Sequence, residues 1–325
     1  MPRLIAEQMS DQLPATHRPA VPMPGRTTAA AAAVDSLVEE FASRRPLRAA
    51  AFIVTLYGDV VIPRGGSLWV GNVIEACARV GISETLVRTA ASRLVAAGRL
   101  EGTRVGRLGY YGLTAAARAE FSAAAARLYT LSCATAGDGF TLALRGGEEE
   151  TAAGPDGLEE AGFVRLGDGL ALAPGARPVP AGWAQLSVSP TELTDRPALQ
   201  AAVRRLWNLA ELEAGYEIFI ERFSPLAACL SAGASLTDGL SALSARLLLV
   251  QGFRELALRD PGFGGLPLPP DWAGERARQL FARLYLALSP ATDAHVARFA
   301  GLDGPLAGTP SEVLQRQRQL AGLPA

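Results

Sequence analysis

Thr85, Arg88, Thr89 and Ser92 recur at intervals of three and four residues, so on a helix they form one short polar face of three hydroxyls and one guanidinium. Such a face offers donors to base edges and phosphates with little bulk, as entry into a major groove requires. Downstream, Arg104 and Arg107 stand in a glycine-bearing stretch with Tyr110 just beyond. Guanidinium groups on a loop tip reach backbone phosphates or a narrow minor groove. A phenol adds another phosphate donor. Catalytic chemistry has little support. His17 and His295 assemble with no Ser-His-Asp or Cys-His set, Cys77, Cys133 and Cys229 read as core thiols, and no metal-ligand spacing exists.

The elements that must present these side chains follow from the pattern around them. Leu86, Val87, Ala90, Ala91, Leu94 and Ala97 gather on the opposite side of the same wheel, predicting an amphipathic helix packed on a core. Ser83 stands at its N-cap and Gly98 ends it. Two short strands follow, 99–103 and 110–113, joined by 104–109, whose glycines allow a tight reversal. Upstream, Pro46 opens a helix through Tyr57 that is apolar nearly all round, and Pro63-Arg64-Gly65-Gly66 makes a turn. Ser67 then caps a second helix, 68–80, with Trp69, Val70, Val73 and Cys77 inward and Asn72, Glu75 and Arg79 outward. With a following helix over 114–129 the order is that of a winged helix-turn-helix.

Hydrophobic residues make up 49% of the 325, which excludes a disordered chain and suggests two or three packed units. The apolar run 49–56 is far short of the roughly 20 residues that cross a bilayer. The opening residues mix Glu7 and Asp11 with prolines, so no signal peptide is expected, and the protein reads as soluble and cytoplasmic. A net charge of −1 conceals asymmetry. Between residues 44 and 111 ten arginines face four carboxylates, whereas between 138 and 191 eight acids face three arginines. The first block suits a polyanion and the second repels one.

The division expected is a disordered tail over 1–33, a DNA-binding unit over 34–130, a small unit over 131–191, a helical unit over 192–300 and a tail over 301–325. In the centre, 140–144, 163–166, 170–173 and 183–188 read as strands, with a helix between Pro155 and Ala161. Asp195 with Pro197 starts a long helix, kinked at Gly215 and continuing to Pro225. Asp238 caps one over 242–258, Asp271 caps one ending at Leu288, and Ser289-Pro290 begins another. A short polar helix, 311–320, ends the chain.

FIVTLYGDVVIPRGG (52–66), GISETLVRTAASRLVAAGRL (81–100) and RVGRLGYYGLT (104–114) closely resemble the PaaX family of bacterial transcriptional repressors of phenylacetate catabolism. The likeness continues more weakly through 162–174, 206–226 and 256–285. It departs at Phe140, where the family usually has Trp, and at Gln251, where many members carry His. The resemblance implies a mainly α chain with small α+β parts: an N-terminal winged helix-turn-helix, a central ferredoxin-like domain and a C-terminal helical domain. It also implies a homodimeric repressor, without cofactor, released from DNA by an aryl-CoA thioester such as phenylacetyl-CoA. Such an effector needs arginines for its phosphates and a dry slot for its ring. Arg204, Arg205, Arg254 and Arg259, with Trp207, Tyr216, Phe219 and Phe223, supply those types, though the plain alternative is that the aromatics are core and the arginines surface. Two recognition helices about 34 Å apart would read an inverted-repeat duplex operator. The competing classes are a winged-helix module for RNA or protein, and a CoA-thioester-acting enzyme with a regulatory DNA-binding domain.

Overall fold

The computed structural model describes residues 24–44, 48–131, 139–146, 156–189, 195–263, 268 and 271–322. The chain is mainly helical, with three antiparallel sheets. Helix α1 (Pro24–Arg44) begins within the segment expected as a disordered tail, so 24–33 is helical. Its alanine run has the best intrinsic helix propensity, and Ala30, Val34 and Leu37, at i, i+4 and i+7, are buried against later helices. Residues 1–23, with His17, lie outside the described residues, as does Cys133.

Helix α2 (Ala49–Leu56) is the expected apolar helix, and it continues through a π turn (Tyr57–Val61) and a 3-10 turn (Ile62–Arg64). Gly65 and Gly66, both at positive φ, reverse the chain. Ser67 does not cap a helix as expected. Ser67–Trp69 is a strand, β1, and the Ser67 hydroxyl accepts from the Leu302 amide at 2.9 Å. Helix α3 (Val70–Ala78) follows. Its Asn72 is buried, not exposed, because its side-chain carbonyl accepts from the Ala300 amide at 2.9 Å. Then come α4 (Glu84–Ala96), β2 (Leu100–Val105), β3 (Leu108–Leu113) and α5 (Ala115–Leu128). The three strands form one antiparallel sheet in the order β1-β3-β2.

The centre is a four-stranded antiparallel sheet, β4 (Phe140–Arg145), β5 (Val164–Gly167), β6 (Leu170–Pro174) and β7 (Trp183–Val188), in the order β5-β6-β4-β7. Short helix α6 (Asp156–Glu160) connects β4 to β5. Alternation sorts its faces. Ala143, Ala171 and Ala173 join Leu158 and Phe163 in a small core of their own. On the other face Leu142 sits opposite Leu172 and Leu186, Leu172 leans on the main core, and Leu186 is exposed.

The last third comprises α7 (Arg196–Leu206), α8 (Leu209–Ser231), α9 (Gly239–Ala257), α10 (Ala273–Val296), a hairpin of β8 (Ala300–Gly301) and β9 (Gly304–Pro305), and α11 (Ser311–Leu320). Asp195 and Asp238 cap α7 and α9 as expected. Three boundaries differ. The break falls at Asn208, at φ 47°, not at Gly215. Helix α8 runs past Pro225, and α10 runs through Pro290, so no new helix begins there. Each proline removes one backbone hydrogen bond, which the packing of α8 and α10 outweighs. Asp271 gives α10 no side-chain cap, and the N-cap position belongs to Trp272.

One hydrophobic core runs from Val34 to Leu320, so segments 34–130 and 192–300 share it. A polar network crosses this core. In the π turn Asp59 is 1% exposed; it accepts from Arg246 Nε (2.8 Å) and from the hydroxyls of Tyr129 and Tyr285 (2.9 Å each). Asp293 Oδ1 accepts from Arg246 (3.0 Å) and from Arg64 (2.7 Å). From α11, Arg316 donates to the carbonyls of Gly58 and Asp59 and lies over the Tyr129 ring. Burial pushes the Asp59 carboxyl up, but Arg246 and Arg316 more than offset this and hold it below the ordinary carboxylate range. The C-terminal segment is thus part of the body, fastening the π turn in place.

Candidate functional site

Ser83 accepts from the Leu86 amide at 3.4 Å, and Gly98, at φ 66°, ends α4 as expected. Val87, Ala90 and Ala91 are buried beneath α4, against α2 and α3, and Leu94 is half buried. Leu86 and Ala97 do not point inward as expected. Leu86 is 54% exposed although its neighbour Val87 is fully buried, so it lies on the edge of the polar face, and Ala97 is the exposed C-cap. Thr85, Arg88, Thr89 and Ser92 are all exposed. Thr89 donates to the Thr85 carbonyl, and Arg88 pairs with Glu84 at 2.7 Å. An exposed i,i+4 pair contributes only about 0.3–0.5 kcal/mol, so Arg88 can exchange Glu84 for a phosphate or a base. Arg93 is exposed and has no ion-pair partner among the described residues.

The hairpin is longer than expected. The strands extend to Val105 and Leu108, leaving a two-residue turn of Gly106 and Arg107. Gly106, at φ 60°, supplies the positive φ that such a reversal needs at its first central position. Arg104 lies in the strand, its Nε donating to the Gly106 carbonyl at 3.2 Å, and Arg107 sits in the turn. Both are exposed. Arg88, Arg104, Arg107 and Tyr110 line one open cleft of about 530 Å3 between α4 and the hairpin. Tyr111 leans on the core, with its carbonyl accepting from the Tyr57 hydroxyl at 3.0 Å.

Trp69 and Ile74 also line this cleft, and sequence reasoning missed both roles. Trp69 pairs with Tyr110 across the sheet and folds over Gly71, where an added Cβ would stand 2.4 Å from the indole. A tryptophan two residues before a glycine was the available signal. Val105 and Leu108 are exposed at the hairpin tip beside the arginines.

The second predicted group is dispersed. Arg204 pairs with Glu213, and Arg259 with Glu211, both on the surface. Arg205 is exposed, while Trp207 meets Phe263 edge-on, which in turn touches Phe140 of the central sheet. Tyr216 is buried, donating to Asp260 at 2.8 Å, and Phe219 and Phe223 pack in the core. Of this group Arg254 alone lines a described cavity, one bounded by α2, α4, α5 and α9. His295 is nearly buried, and burial with the Arg298 charge lowers its pKa. Cys77 is buried, its thiol pushed up to about 12 by burial, so it is no nucleophile. Among the described residues no group of three or more His, Cys, Asp or Glu could hold a metal, and no helix is long and apolar enough to cross a membrane.

Two family models match the chain: "PaaX-like protein" over residues 48–117, which hold the cleft, and "PaaX-like protein C-terminal domain" over residues 207–298. A curated relative, the transcriptional repressor PaaX of Escherichia coli (strain K12), is 32% identical over 278 residues, covering 81% of this chain and 87% of its own. At that identity and coverage, with family models matching both halves, the chain belongs to the PaaX family.

Proposed function

We propose that the protein is a DNA-binding transcriptional repressor of an aromatic-acid catabolic operon of the phenylacetate type. On this reading residues 34–130 form a winged helix-turn-helix unit, with α4 as recognition helix and the β2–β3 hairpin as wing. The observation that carries it is the shared cleft, where Arg88 of the helix faces Arg104, Arg107 and Tyr110 of the hairpin. Three guanidinium groups around one open groove suit a phosphate backbone, while the hydroxyls of Thr85 and Ser92, and the acceptor lone pairs of Thr89, are left for base edges. Kinship with a protein named as a transcriptional repressor favours regulation over catalysis.

The central strand order, with one crossover helix, supports a ferredoxin-like unit in which 175–182 takes the place of a second helix. A cytoplasmic homodimer would set two α4 helices about 34 Å apart on an inverted repeat, and an aryl-CoA thioester would release it by favouring a dimer of different spacing. Fluorescence anisotropy on duplex DNA from the adjacent promoter, with RNA of the same sequence alongside, tests the reading. Salt-dependent binding to the duplex in preference to the RNA is expected. Equal or weaker binding to the duplex contradicts it.

A further inference from the structure

Beneath the cleft-bearing unit lies a cavity of about 410 Å3, within the range of small-molecule sites. Its walls are mostly apolar: Val54 from α2, Leu94 from the last turn of α4, Phe121 and Leu128 from α5, and Val250 from α9. Phe121 is seated tightly over the π turn, since a Cβ on Gly58 would stand 2.9 Å from its ring. That wall is therefore fixed. On the α9 side stands Arg254, whose Nε is buried without a hydrogen-bond partner among the described residues. One of its terminal nitrogens reaches Gln251 only at 3.4 Å. The guanidinium is half-buried, but an Nε–H shut away from water without an acceptor is costly, and an acceptor arriving with a ligand would relieve that cost.

We propose that this cavity receives the apolar group of the effector, a ring or short hydrocarbon bearing a carbonyl or carboxylate acceptor, with the acceptor meeting Arg254 and the hydrocarbon pressing on Leu94. The assignment rests on the reading above that an acyl ligand controls DNA binding. It accounts for coupling by contact: one occupant touches both α9 and the helix that carries Arg88. The volume suits a ring and its acyl carbon, so the nucleotide of a thioester stays outside, on the side where Arg99 and Glu120 form an exposed pair. Free acid and thioester share the chemistry that enters the cavity, and the experiment separates them.

Full-length protein is titrated calorimetrically with phenylacetyl-CoA, phenylacetate and acetyl-CoA. The variants are Ala124→Trp, which fills the cavity, Arg254→Met, which removes the guanidinium, and Arg259→Met, which lies outside it. Phenylacetyl-CoA binding stronger than acetyl-CoA binding is expected, with phenylacetate showing how much the nucleotide adds. The first two variants should weaken phenylacetyl-CoA by about tenfold or more, the scale of one charge-assisted hydrogen bond or a blocked pocket, and should stay on promoter DNA when it is added. Arg259→Met should match the parent. Less than a fivefold loss in both cavity variants overturns the proposal, as does a parent chain that binds none of the three probes at millimolar concentration. Hydrogen exchange on the parent chain needs no variant. Ligand should slow exchange over 90–97, 121–129 and 250–258, and slowing confined to 204–223 assigns the ligand elsewhere. DNA binding without these ligand effects leaves the repressor reading standing alone, whereas ligand effects without DNA binding leave the cavity standing alone.

Discussion

Arginine occupies two opposite settings in this molecule. In the core, Arg64, Arg246 and Arg316 are buried and aimed at Asp59, Asp293 and backbone carbonyls, in bonds that join residues as far as 258 apart in sequence. At the cleft, Arg104 and Arg107 are exposed and Arg88 holds only a neighbouring glutamate. The difference is one of what is left behind on removal. Taking a partner from the core strands a charge away from water, whereas taking a cleft arginine strands no buried group. The core set therefore specifies one arrangement of helices, and the cleft set is free for recognition.

The largest effect that could break this contrast is at Arg246. Arg246→Ala should destabilise the protein by about 3–5 kcal/mol in urea denaturation, because Asp59 and Asp293 lose a shared partner. A loss below about 1 kcal/mol would show that the network is no more than surface chemistry turned inward. The same network sets an acid limb. Since the folded Asp59 carboxyl lies below its ordinary value, its contribution is fully present above about pH 4 and is lost as pH falls through the folded value. The urea midpoint of the parent should therefore drop below that pH, and the drop should be smaller in Asp59→Asn.

Smaller effects belong to the cleft. Arg88→Ala should reduce discrimination between operator variants by about 1–3 kcal/mol in competition gel shifts, with thermal stability unchanged. Arg104→Ala and Arg107→Ala should weaken binding to every duplex and each lower the salt slope by about 1. Sequence-selective losses from the hairpin variants would exchange the roles of helix and hairpin. The smallest effect is expected at Arg259. Its exposed pair with Glu211 contributes under about 1 kcal/mol, so Arg259→Ala should leave folding and DNA affinity nearly unchanged.

Local rules made part of this legible. Ser83 and Gly98 announce the ends of α4 because capping depends on a few neighbouring residues, and alternation placed β4, β6 and β7 within a residue or two. The exposed polar face of α4, with Arg88 in the cleft, followed from helical periodicity and the hairpin position of Arg104 and Arg107 from the glycines beside them. What stayed hidden depends on distant partners. Strand β1 is three residues long and exists through pairing with β3, and which of the adjacent apolar residues Leu86 and Val87 is covered is decided by the helices packed on α4. The Asn208 break, the continuity of α10 through Pro290 and the meeting of Asp59 with Arg246 are likewise set by packing between segments. Among the candidate effector residues, type alone does not distinguish Arg254, beside a cavity, from Arg204 and Arg259 in surface pairs.

Hydroxyl-radical footprinting of the full chain on the adjacent promoter tests the central claim most directly, that the α4 and hairpin surface docks into duplex grooves. The account predicts two protected patches about one helical turn apart, which fade together in the Arg104→Ala/Arg107→Ala double variant while its unfolding midpoint stays put. Unchanged protection in that folded variant, or no protection by the parent chain, would contradict it.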